Sequence, residues 1–215
     1  LALLLTLTRR TAATVEEAMR GLRLPALGRF GALHKSGADL GPNPAMEDLA
    51  SLLRDARVDG ARPAAIQFLG AARQDGRAEL ARALAVTLAQ REGGRIALVD
   101  LQDDGRAHLA ALGSSPQAGE RVPGEVLMLP TVLPRLFVSF DAAQSDLANP
   151  RASFEGARAQ MDRMRKAFET VILIAPDEAE TYALRRLAAV VDANVIVVRG
   201  EATPLGRARR LRESV

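Results

Sequence analysis

The sequence has no cysteine, no tryptophan and a single tyrosine, and aromatic residues make up only 3% of it. Without cysteine there can be no disulfide, no thiolate chemistry and no cysteine-ligated zinc. So few rings leave no stacking platform for single-stranded nucleic acid. Histidine occurs twice, at His34 and His108, and neither has a neighbouring histidine or a spaced carboxylate pair from which a metal site is built. Both read as surface or core residues. Lysine also occurs twice, at Lys35 and Lys166, so arginine carries almost all of the positive charge. The formal net charge is only +3, with an isoelectric point of about 10.1. Without a clustered basic face that excess makes no footprint for nucleic acid. No G-x-S-x-G elbow, H-E-x-x-H pair or G-x-G-x-x-G after the first strand occurs, which removes the usual hydrolase, zinc-protease and dinucleotide signatures.

Long apolar runs are also missing. LALLLTL, at Leu1–Leu7, falls short of the roughly 20 residues that span a bilayer. Followed by Arg9 and Arg10, it reads either as the inner end of a membrane helix meeting a basic flank or as the start of an ordinary buried element.

What is present suits a folded α/β protein. The 215 residues are 48% hydrophobic and 26% charged, enough for one domain with a full core plus an arm. Thr14-Val-Glu-Glu17 fits a capping box opening a helix to about Gly21. Pro25 and Gly28 punctuate an extended run, and a Gly/Pro/Asn-rich connector covers 31–44. Met46, Leu49, Leu52, Leu53 and Ala56 share one face of a helix over 46–58. Residues 64–70 and 95–100 read as strands on either side of a helix over 78–91, with Leu80, Leu84 and Leu88 along its packed face. A short helix over 105–113 carries His108. Residues 125–130 and 134–140 read as short strands. A helix over 153–168 places Met161 and Met164 in its core stripe, where methionine is a filler. A buried strand over 171–176, a helix over 178–189, a strand ending at Gly200 and a helix opened by Pro204 at N1 complete the pattern. This alternation predicts a doubly wound, mainly parallel sheet, with 1–60 as an N-terminal arm and covering helix and 61–215 as the α/β domain.

The segment from Ala64 to Asp100 is the one to which phosphate chemistry would belong. A glycine loop after a strand, opening a helix, points backbone N–H groups at an anion. Its full pattern is G-x-x-x-x-G-K-[ST], in which the lysine reaches the outer phosphates and the hydroxyl holds magnesium. Here Ala71 stands at the first glycine, Gly76 is kept, Arg77 replaces lysine and Ala78 replaces the hydroxyl residue. Alanine cannot ligate a metal. Arg77 could still pair with a phosphate, but as a forked donor rather than a point charge.

The stretch IQFLGAARQDGRAELARALAVTLAQREGGRIALVDLQDDG resembles the cytosolic ATPase domain of bacterial tyrosine kinases, which accompany polysaccharide co-polymerases, and more distantly the MinD/ParA ATPases. Set against that family's G-E-G-K-[ST], Gln74 replaces a glycine and Asp75 keeps an acid. Against its D-x-D-x-R, Asp100 is kept, Gln102 replaces the second aspartate and Asp104 falls at the arginine. Against its D-x-P-P, VILIAPDE carries Ile174 in place of aspartate and retains Pro176. TVEEAMRGLRLPALGRF is similar to the family's juxtamembrane phrase. On its E-x-x-R-x-x-R ring-forming helix, Glu47 matches while Ala50 and Leu53 replace the arginines. The family's terminal tyrosine cluster has no counterpart; Tyr182 lies within a helix.

The resemblance implies a P-loop NTPase-like fold whose phosphate loop survives only as a vestige formed by Gln74, Asp75, Gly76, Arg77, Ala78, Glu79 and Asp100. It implies a non-catalytic regulatory or scaffold subunit in exopolysaccharide or capsule synthesis and export, at the inner face of the bacterial inner membrane. No catalytic or metal-ligating residue is predicted, and no cofactor beyond weakly held ATP. The expected partners are a polysaccharide co-polymerase or other export component and further copies of the chain. Acidic lipid, met by Arg207, Arg209, Arg210 and Arg212, is another. Two alternatives stand beside this reading: an atypical active ATPase or tyrosine kinase relying on Arg77 and Asp100, and a ParA/MinD-like partitioning protein.

Overall fold

In the computed structural model, residues 14–30, 44–56, 60–72, 75–91, 93–114, 120–121, 126–142, 145–149, 151–176, 181–200 and 202–215 are described. The apolar start at 1–13, the connector at 31–43 with His34, and Gln74 lie outside them.

The strands are β1 (Ala65–Gly70), β2 (Ile96–Asp100), β3 (Glu120–Arg121), β4 (Leu127–Pro130), β5 (Leu136–Phe140), β6 (Thr170–Ile174) and β7 (Ala193–Val197). They form one seven-stranded sheet in the order β3-β4-β5-β2-β6-β1-β7. From β5 to β7 every pairing is parallel, whereas β4 and β3 add an antiparallel edge. β1 and β2 are buried along their whole length, which is why they read as near-continuous apolar runs rather than as alternation. Their placement on either side of β6 brings the ends of β1, β2 and β6 together at one edge.

The helices are α1 (Val15–Leu22), α2 (Pro44–Asp55), α3 (Arg77–Gln90), α4 (Arg106–Ala111), α5 (Phe154–Ala167), α6 (Thr181–Ala188) and α7 (Leu205–Ser214). One sheet face presents Ile66, Phe68, Leu98 and Ile172 to Met46 and Leu49 of α2 and to Leu80 and Leu84 of α3. The other presents Ala65, Val99, Val171 and Leu173 to Met161 and Met164 of α5. Further along that face, Leu69 and Ala175 meet Leu22 of α1, Leu184 of α6 and Leu211 of α7. The sheet is thus covered on both sides, as a doubly wound fold requires. Leu84 has no exposed surface, so Leu84→Ala would cost about 2–5 kcal/mol.

Local signals act largely as read from the sequence. The Thr14 hydroxyl accepts from the Glu17 N–H at 3.2 Å, and the Ser153 hydroxyl does the same for Gly156 at 3.0 Å. Pro204 takes the N-cap position rather than N1, a one-residue shift within the usual scatter of helix ends. The edge strand β3 lies in SSPQAGERVPG, a turn-rich stretch in which a two-residue strand carries no periodicity. The covering helix α2 contributes Met46, Leu49, Ala50 and Leu53 to the same core as β1 and β2. Ala50 and Leu53, where the resemblance would place arginines, are therefore core residues, and Glu47 pairs with Arg91.

Candidate functional site: a phosphate loop closed on itself

The turn between β1 and α3 has the backbone form of an anion cradle. Gly76 has φ of +90° and forms the N-cap of α3 with no side-chain cap, which leaves the first N–H groups of a 14-residue helix facing the loop. Such an end carries partial positive charge and favours an anion within its first turn.

The anion present is Asp75. Its Oδ2 accepts from the Ala72 N–H at 3.2 Å and its Oδ1 from the Arg77 N–H at 3.1 Å. Arg77 Nη1 pairs with Oδ2 at 3.1 Å. Both side chains are almost wholly enclosed, at 1% exposure for Asp75 and 2% for Arg77. The carboxylate lies directly on Gly70: a Cβ there would sit 1.6 Å from Asp75 Oδ2 and 2.6 Å from Arg77 Nη1. Gly70, one residue before the position compared with the motif, is the glycine that this loop needs.

The rest of the Arg77 guanidinium is held as firmly. Nε donates to the Ala175 carbonyl at 3.2 Å, Nη1 to the Ala72 carbonyl at 3.2 Å and Nη2 to Gln102 Oε1 at 2.5 Å. The arginine folds inward across the ends of β6 and β2 rather than out over the loop. Its length allows this: a guanidinium fork can satisfy three acceptors at once.

Asp100 closes β2 and caps the loop that follows. Its Oδ1 accepts from the N–H groups of Gln102 at 2.9 Å and Asp103 at 3.1 Å. Oδ2 lies 3.1 Å from His108 Nε2, with both side chains buried. His108 is thus a core histidine, and Asp100 has both oxygens engaged. Ile174 ends β6 with no exposed surface, in the core with Phe68 and Leu98. Ala78 and Glu79 lie half-buried on the first turn of α3. The structure therefore brings Asp75, Arg77, Gln102 and the end of β6 together and turns Asp100 towards His108. Among the described residues, no group of three or more histidines or acids is arranged to hold a metal ion.

Sequence reading identified Arg77 and Gln102 as departures from the motif, but separately. That they bond to each other, and that Asp75 serves as the loop's own anion, shows only in three dimensions.

The four terminal arginines do not form one free face. Arg209 Nε donates to the Gly21 carbonyl at 3.2 Å and Arg212 Nη1 to the Leu22 carbonyl at 2.8 Å, which ties α7 to the end of α1. Among the described residues no helix is long and apolar enough to cross a membrane.

No family model matches the sequence, and the search of curated proteins finds no match. Solved structures do match. The chimerical protein CapA2B2 aligns with a TM-score of 0.69 at 17% identity, over 94% of this chain and 92% of that one. The BceF tyrosine kinase domain aligns with a TM-score of 0.69 at 16% identity, over 95% and 93%. The kinase domain of the Escherichia coli tyrosine kinase ETK aligns with a TM-score of 0.58 at 16% identity, over 96% and 85%. At these identities the likeness is one of fold, and it extends over almost the whole chain. The motif resemblance and the sheet topology thus converge: this chain has the P-loop NTPase-like fold of tyrosine kinase domains such as those of BceF and ETK.

Proposed function

We propose that this protein is a non-catalytic relative of those kinase domains, acting as a regulatory or scaffold subunit in bacterial exopolysaccharide or capsule synthesis and export. It works beside a polysaccharide co-polymerase or another membrane component at the inner face of the membrane. The observation that carries the non-catalytic part is the closed cradle, in which Asp75 and Arg77 satisfy each other beside Gly70. Phosphoryl transfer depends on positioning and on charge stabilisation by a cation and a metal. Here the cation is buried in its own ion pair, Ala78 brings no oxygen, and Ile174 brings an apolar side chain where the resemblance places an aspartate. A phosphate entering the loop would have to displace a buried carboxylate and leave it unpaired. Breaking such a pair costs about 3–5 kcal/mol. The residues present do not fit a magnesium nucleotide.

The test is phosphate release and tyrosine phosphorylation with ATP and Mg²⁺, on the chain alone and with a co-polymerase present. No activity above that of the Arg77→Ala variant is expected. Turnover that Arg77→Ala abolishes would replace this reading with that of an atypical active ATPase.

A further inference from the structure

The sequence separates Arg20 and Arg23 from Arg209 and Arg212 by almost the length of the chain, and the fold brings them together. α7 packs beside α1, with Leu205 against Gly21. A cavity of about 290 Å³ opens between the two helices, lined by Arg20, Gly21, Arg23, Arg209, Arg212 and Glu213. Four arginines and one glutamate line it, and that glutamate already pairs with Arg212 at 3.2 Å.

Two of the arginines are fixed in place. The last carbonyls of a helix have no partner within it, and Arg209 and Arg212 satisfy those of Gly21 and Leu22. Arg20 is exposed, with Nε donating to the Glu16 carbonyl at 3.4 Å and its charge acting on the Glu16 carboxylate. Arg23 is exposed, caps α1 with φ of +53°, and takes no side-chain partner among the described residues. Like charges gathered this closely repel one another unless an anion lies among them.

Three exposed apolar side chains are interleaved in sequence with Arg20 and Arg23 or follow them closely. Met19 is 41% exposed, and Leu24 and Leu27 are each 38% exposed. Met19 stands one turn from Arg23 and next to Arg20 on α1. Exposed apolar side chains interleaved with arginine over 19–27 suit the boundary between lipid headgroups and acyl chains, whereas a soluble anion would need only the charges.

We infer that the α1–α7 face is a docking surface for anionic lipid, on which Arg20, Arg23, Arg209 and Arg212 hold headgroup phosphates while Met19, Leu24 and Leu27 enter the acyl boundary. This deepens the membrane-proximal part of the reading above. It requires nothing of the phosphate loop.

Flotation of the full chain with vesicles tests it, using phosphatidylcholine alone and phosphatidylcholine mixed with phosphatidylglycerol, without nucleotide. Binding should require phosphatidylglycerol and weaken as salt rises. Arg20→Gln with Arg23→Asn should lower partitioning by roughly thirtyfold, from the usual contribution of each arginine at such a surface. Asparagine tolerates the left-handed backbone of position 23, so thermal melting should show the variant folded. Met19→Ser with Leu24→Ser and Leu27→Ser should also weaken binding to the mixed vesicles. Binding that is equal on neutral vesicles, or unaffected by both sets of substitutions, overturns the inference. So does full displacement by millimolar pyrophosphate with the serine variant unaffected, which would make the site one for a soluble anion. ATP turnover would sink the non-catalytic reading and leave this surface untouched.

Discussion

Arg77 Nη2 donates to Gln102 Oε1 at 2.5 Å across the ends of α3 and β2. Each of these residues departs from the kinase pattern, and each departure suits the other. The guanidinium takes the inward path that a shorter ammonium could not span with the same fork, and the amide offers a neutral acceptor where the pattern has an aspartate. With Asp75 on its other side, Arg77 becomes a structural cation.

Arg77→Ala should therefore act first on stability. It strands the Asp75 carboxylate at 1% exposure and should cost about 3–5 kcal/mol, as should Asp75→Ala for the converse reason. The double variant should recover part of the loss, with a coupling of about 1–3 kcal/mol in a urea-unfolding cycle. Additive effects would mean that the pair does not hold the loop.

Gly70→Ala should be poorly tolerated in the parent and better tolerated beside Asp75→Ala. Its Cβ would lie 1.6 Å from Asp75 Oδ2, so the carboxylate would have to swing aside and give up its bonds to Ala72 and Arg77, and a loss of about 1–3 kcal/mol is expected in the parent. Removing the carboxylate removes that clash. Equal melting points for Gly70→Ala and the parent would show that the carboxylate does not rest on Gly70.

Gln67 is a flaw in the core that substitution should repair. It sits in β1 with no exposed surface, and its Nε2 and Oε1 both lack a hydrogen-bond partner among the described residues. An unpaired buried polar atom costs about 1–3 kcal/mol. Gln67→Met keeps the length and drops the polar atoms, so it should raise Tm by about 2–6 °C. A lower Tm would indicate that the amide has a role in the fold.

The capping of α1 gives a pH-dependent signal. The Glu16 carboxyl is held below its ordinary value of 4.5, first by a backbone N–H, then by the Thr14 hydroxyl, with Arg29 and Arg20 adding to the effect. A carboxyl with a depressed folded-state pKa favours the fold above its unfolded pKa, and that contribution is lost as pH falls through the folded value. Thr14→Ala should move the Glu16 titration back up, measured by carbon-detected NMR. An unchanged titration would contradict the hydroxyl's part.

Much of the architecture was legible because parallel strands buried on both faces leave a plain mark. AIQFLG, IALVD and TVILI are mostly apolar, interrupted only by Gln67, Asp100 and Thr170, and the helices between them carry caps and stripes. The state of the site was not legible in the same way. Asp75 counted in the sequence only as an acid retained in a loop, since nothing local distinguishes a carboxylate that meets solvent from one that turns back onto Gly70. Arg77 meets Gln102 through the adjacency of β6 to both β1 and β2, which is a property of the sheet order. Arg186 shows the same limit. It lies on a basic turn of α6, yet is buried and donates to the carbonyls of Asp146, Leu147 and Ala152. The terminal arginines likewise read as one basic run until the fold set two of them on the end of α1.

Titration calorimetry with ATP and Mg²⁺ on the parent chain bears most directly on the claim that the loop already contains its own anion. No binding heat is expected at micromolar nucleotide. Micromolar affinity in the parent, with the metal required and Asp75 still in place, would contradict it.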